Sequence, residues 1–164
     1  MKMKSIKTAL IAILGAGLVF TGCAKMPEKL VSPTLKIEPV VKDNKEFYKL
    51  SLSTGIQNEN SDTAFVDLKG LIVFKDGKTR VLTVPFHLPI VLPFDTGIIE
   101  AEKTFTESEI MPLVTLLGSD REKLLNEKAL ERSFIDEKNI GFELTGCEKK
   151  NILDVLKDKV NEKN

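Results

Sequence analysis

The chain has 164 residues, 42% of them hydrophobic and 29% charged, with 24 basic against 24 acidic side chains. That length suits one domain with some extra sequence, and the balanced charge offers no polybasic face for nucleic acid. One histidine, two cysteines, one tyrosine and no tryptophan argue against a Cys/His metal centre and leave little for stacking bases or sugars.

The first element is an export signal. MKMKSIK carries Lys2, Lys4 and Lys7 and no acid, and Ala9 to Phe20 reads ALIAILGAGLVF, twelve apolar or small residues. A helix needs about 20 such residues to span a bilayer, so this run fits the apolar core of a signal peptide instead. It ends in Phe20-Thr21-Gly22-Cys23. That ending resembles the bacterial lipoprotein box, with Phe20 where leucine is commonest. The resemblance implies a diacylglycerol on the Cys23 sulfur, cleavage between Gly22 and Cys23, and often acylation of the new amino group. Two or more acyl chains anchor stably where one does not. Membrane lipid, through Cys23, is therefore the expected partner. Removing residues 1–22 leaves 21 basic against 24 acidic residues, so the lipid and not surface charge should hold the protein. The expected location is outside the cytoplasm. Ala24, in place of an aspartate after the cysteine, favours an outer membrane in organisms that have one.

Residues 23–33, with two prolines and no periodicity, read as a flexible tether. At full extension ten residues reach at most about 35 Å, enough to lift a domain clear of head groups. Strand patterning begins at Thr34. TLKIEPV alternates, and FYKLSLSTGIQ puts Tyr48, Leu50, Leu52 and Ile56 on one face and Lys49, Ser51 and Ser53 on the other. NENSD, residues 58–62, is a polar turn. TAFVDLKGLIVFK places Ala64, Val66, Leu68, Ile72 and Phe74 on one face. Leu71 and Val73 then add apolar surface on the other. Asp76-Gly77 signals a tight hairpin, with TRVLTVPF as the return strand. Pro85 confines that strand to an edge or a bulge, and HLPIVLPFDTG reads as a proline-rich crossover. GIIEAEKTFT is another strand.

Helical spacing follows. Ile110, Leu113, Val114 and Leu117 recur at i, i+3, i+4 and i+7, with Ser108 as a cap, Pro112 in the first turn and Gly118 as a stop. REKLLNEKALER, residues 121–132, reads as a second helix. IGFELTGC is a last strand, and Asn151 to Val160 a short amphipathic helix. The whole predicts a mainly β chain: an Ig-like or fibronectin III-like antiparallel β-sandwich over 34–148, with one to three short helices towards the C-terminus, the last within 149–164.

The order LSLSTGIQNEN, FVDLKGLIVFKDGK, FTESEIMPLVTLLG, IGFELTG is similar to the late-embryogenesis-abundant, water-stress-and-hypersensitive-response (WHy) family. Its hallmark strand ends in Asn-Pro-Asn; here Glu59 stands in the proline's place. The resemblance, over about residues 34–148, implies a fibronectin III-like sandwich and a role in desiccation or envelope-stress protection.

No constellation argues for catalysis, and no cofactor or metal is expected. His87, in PFHLPI, has no paired carboxylate or nucleophile nearby in sequence and reads as a loop or edge residue. Cys147 is the odd cysteine once Cys23 is a thioether; it reads as a small, partly buried thiol. Glu100, Glu102, Glu107 and Glu109 read as a solvated strand face and helix-start acids, because a glycosidase pair would come with aromatic platforms. The expected function is a non-enzymatic envelope lipoprotein in a binding, structural or protective role. The alternatives are a subunit of an envelope complex, docked through the C-terminal helix onto a partner protein, and an envelope enzyme accessory.

Overall fold

The computed structural model describes residues 24–161. The expected export signal, the run resembling a lipoprotein box and Cys23 lie outside those residues. Two antiparallel sheets form a sandwich. The chain runs β1 (Leu30–Lys42), β2 (Lys45–Gln57), β3 (Thr63–Asp76), β4 (Thr79–Val91), β5 (Thr96–Phe105), α1 (Glu107–Leu116), α2 (Arg121–Glu127), β6 (Leu130–Arg132), β7 (Ile140–Asn151) and α3 (Ile152–Asn161). One sheet has the order β5-β2-β1-β6 and the other β4-β3-β7.

The alternation of β2 is realised as read: Tyr48, Leu50, Leu52 and Ile56 are each at most 3% exposed. Two hairpin turns close one end. At the first, Asp43 and Asn44 both adopt positive φ, +52° and +58°, the pairing a primed two-residue turn demands. At the second, Gly77 takes φ +58° and Asp76 pairs with Thr79.

The inward face of β3 changes phase along its length. Leu68, Ile72 and Phe74 join the main core as expected, but Phe65 joins it in place of Val66. Asp67, at φ +53°, interrupts the ladder to β7. The flanking strands switch at the same level: Leu88 and then Val91 enter the core on β4, Leu144 and then Cys147 reach it on β7.

Four further elements differ from their sequence reading. Residues 87–91 continue β4 instead of crossing over. An edge strand tolerates Pro85 and Pro89, since their missing N–H groups cost nothing on a side with no neighbour. The segment Leu130–Arg132 leaves the helical pattern and pairs with Leu35–Ile37 as β6, after α2 stops at Lys128 in the left-handed region. Helix α1 starts from Thr106, not Ser108. The Glu109 carboxylate accepts from the Thr106 N–H and hydroxyl at 2.8 and 2.7 Å, the reach-back half of a capping box, so Pro112 falls in the second turn. Gly118 follows the helix at φ +74°, as read. Finally, β1 begins at Leu30, inside the expected tether.

Candidate functional site

The register places residues 24–31, 56–63, 91–98 and 148–153 at one end of the sandwich, opposite the hairpin turns. Asn58 organises this end. It is fully buried, and every polar atom of its side chain is used. Its Nδ2 donates to the carbonyls of Thr63 at 2.8 Å and Val91 at 3.1 Å. Its Oδ1 accepts from the Asn60 N–H at 3.1 Å and the Asn60 Nδ2 at 2.8 Å. Its backbone N–H donates to the Asp95 carbonyl at 2.9 Å. One side chain thus ties β3, the end of β4 and the 58–60 turn. A buried amide is tolerated when all its groups are paired.

Asn60 passes the connection on to the start of the described chain. Its carboxamide pairs with the Lys25 backbone as a neighbouring peptide would: Oδ1 accepts from the Lys25 N–H at 2.9 Å, and Nδ2 donates to the Lys25 carbonyl at 2.9 Å. Lys25 Nζ reaches Glu59 at 3.1 Å, which raises the lysine's proton affinity above its ordinary value, chiefly through that bond. Lys149 Nζ donates to the Ala24 carbonyl at 2.9 Å, and Met26 packs against the core. Residues 24–29 form no helix or strand, yet they lie bonded along the sandwich end and do not stand off it as a spacer.

His87 sits on edge strand β4, half exposed, with Nε2 at 2.7 Å from Asp67 Oδ1. Lys69 Nζ approaches Asp67 Oδ2 at 2.7 Å. The bond from Lys69, and then that from His87, hold the Asp67 carboxyl below its ordinary range. Sequence reading missed this carboxylate. Its signal was an acid breaking an apolar run, FVDLKGLIV. A His–Asp pair becomes catalytic only with a nucleophile or water held beside the imidazole. Cys147 does not serve: it packs against the core, its thiol lies 3.4 Å from the Glu148 carbonyl, and burial pushes its pKa up, away from thiolate character.

The four glutamates do not converge. Glu102 is bonded to Lys49 at 2.8 Å and Ser51 at 3.2 Å, and these two contacts, the lysine first, keep its pKa low. Glu109 caps α1, Glu107 pairs with Arg121 at 2.9 Å, and Glu100 is exposed on β5. Among the described residues no group of three or more His, Cys, Asp or Glu is arranged to hold a metal ion, and no helix is long and apolar enough to cross a membrane. The larger concavities are open to solvent. One, of about 670 Å³, lies between β4 and β5 beside His87, Glu100 and Lys103. Another, of about 630 Å³, lies on the outer sheet face beside Lys36, Ser51, Glu131 and Arg132. Neither gathers a nucleophile, a base and a sheltered anion site in the way acyl, phosphoryl or glycosyl transfer needs.

No family model, no curated protein and no solved structure matches the chain.

Proposed function

We propose that this is a lipoprotein anchored outside the cytoplasm through acylated Cys23, whose β-sandwich works without catalysis, in a binding, structural or stress-protective role. The observation that carries the reading is the order of features in residues 1–23: three lysines without an acid, twelve apolar residues, then Phe20-Thr21-Gly22-Cys23. The docked start of the domain supports it. The side-chain amide of Asn60 and the Lys149 ammonium seize the two residues that follow Cys23, so the sandwich begins where the leader would be cut. Full hydrogen bonding of the buried amide, and carboxylates occupied by caps and ion pairs, favour a scaffold over an enzyme. The resemblance to the WHy family adds protection during desiccation or envelope stress as the role to examine first, and Ala24 favours the outer membrane where one exists.

The test is Cys23→Ser in the producing cell. The native protein should be cleaved before Cys23, carry the mass of its acyl groups and partition into the detergent phase. The variant should remain uncleaved or soluble. A cleaved and anchored C23S protein would overturn the reading.

A further inference from the structure

The end of the sandwich that carries Ala24 is also where the chain exposes most of its large apolar side chains. Phe94 is 71% exposed, Ile98 59%, Leu153 62% and Leu156 52%. Among the described residues, Val41 is exposed at the opposite end, among Lys42, Asp43, Asn44, Lys45 and Lys78, and Phe134, 76% exposed, lies on the segment between β6 and β7. The apolar residues are distributed around the end. Ile98 and Val31 both pair with Gly55, from β5 and β1, on the outer side of one sheet. Leu153 and Leu156 share a face of α3, which packs on β7 and β3 of the other sheet. Phe94 lies on the loop between β4 and β5.

Phe94 is placed there against two local preferences. The Asp95 N–H donates to the Leu92 carbonyl at 3.1 Å, closing a turn with Pro93 at its second position and Phe94 at its third. Phe94 adopts φ +56°, where such a turn normally calls for glycine or asparagine. A bulky residue in the left-handed region is an outlier, and strain of this kind points to a function. Asn58 holds the loop in that shape through its bonds to Val91 and Asp95.

We infer that this end is seated in the interfacial layer of the membrane, with Phe94, Ile98, Leu153 and Leu156 among the head groups and upper acyl chains. The inference rests on the anchored reading above. Consecutive Cα atoms are about 3.8 Å apart, so the acyl chains on Cys23 leave within one residue of Ala24, which is itself bonded to the domain. No slack remains to lift the end into water. Residues spread over both outer faces and the tip are not matched by one flat protein surface, whereas end-on immersion covers all of them. The surrounding charges are mixed (Lys25, Lys149 and Lys150 against Glu28, Glu59, Asp62 and Glu148), so the seat is apolar and insensitive to salt.

The chain has no tryptophan, so F94W and L153W each introduce a single reporter, with V41W as the reference at the far end. Each acylated protein is reconstituted into phosphatidylcholine vesicles, with acylation verified by the mass of the N-terminal peptide. The F94W and L153W indoles should emit to the blue of V41W, resist acrylamide several-fold better and be quenched by lipids brominated near the head of the acyl chain. V41W should show none of these. An acylated protein whose F94W and L153W indoles are as open to acrylamide as V41W overturns the seating and leaves the anchor standing. Indoles shielded from acrylamide yet untouched by brominated lipid assign the end to a protein surface, a second copy or a partner, and also overturn it. A Cys23 found without acyl groups overturns the anchored reading, and this inference with it.

Discussion

Replacing Asn58 by alanine removes the side chain that ties β3, the end of β4 and the 58–60 turn together at the Ala24 end. The Thr63 and Val91 carbonyls lose a donor at 2.8 and 3.1 Å, and Asn60 loses the acceptor of two bonds. A buried polar group left unpaired costs about 1–3 kcal/mol. The carbonyls retain a second lone pair and Asn60 is half-buried and within reach of water, so the lower figure applies to each, about 3 kcal/mol in all. Against a typical stability of about 5–15 kcal/mol that is a large share. Reversible urea unfolding reads it: with a slope of about 2 kcal/mol/M, the midpoint should fall by about 1.5 M at unchanged slope. Asn58→Asp should cost at least as much, since it deletes the donor and points a carboxylate at two carbonyl oxygens. Asn60→Ala should cost about 1 kcal/mol, and the double variant less than the sum, because the two share bonds. An N58A protein within about 0.5 kcal/mol of its parent, the scatter of ordinary surface substitutions, would refute the role given to Asn58.

Acid should loosen the fold before mild base does. The carboxyls of Asp67, Glu102, Glu109 and Asp136 are held below their ordinary values by hydrogen bonds, the largest coming from Lys69, Lys49, the Thr106 N–H and the Lys138 N–H respectively. A group with a lowered folded pKa contributes stability above its unfolded pKa and loses it as pH falls through the folded one. Melting temperature should be level from about pH 6 to 8 and decline below about pH 4.5; a curve flat to pH 3 would refute this. Gly70→Ala should destabilise by about 2–3 kcal/mol in the same urea assay, since a Cβ there would run into the Glu143 carbonyl of β7 and within 2.7 Å of the Phe86 ring. A neutral substitution would show that β3 and β7 part more easily than their ladder suggests.

What could be read from the sequence was what a single strand or helix decides for itself. The face of β2, the Asp76-Gly77 hairpin, the helix stop at Gly118 and the edge position of Pro85 each follow from a few neighbouring residues. What could not be read depended on a partner strand or a distant loop. ALER has a helix-forming composition, but Leu130–Arg132 find an open edge beside Leu35–Ile37 and extend the sheet. Val66 and Phe65 are both apolar, and only the break at Asp67 decides which faces inward. Asn58 and Asn60 read simply as turn residues; the bonds that make one of them a hub come from Val91 and Lys25, 33 and 35 positions away. The prolines at 27 and 33 suggested slack, while the order of residues 24–29 is imposed from outside them.

The edges of the sandwich have a consequence for molecules held in two dimensions. Tethering to a surface raises the frequency of lateral encounters, and an open strand edge is a template on which the next copy can add. Here β4 presents Pro85 and Pro89, which interrupt the row of donors a new strand would need, and β5 presents Glu100, Glu102 and Lys103. On the far side β6 offers only three residues, and β7 carries Glu148, Lys149 and Lys150 just before its last residue, Asn151. If the domain is tethered as proposed, these prolines, charges and the short β6 work against edge-to-edge pairing of neighbouring copies.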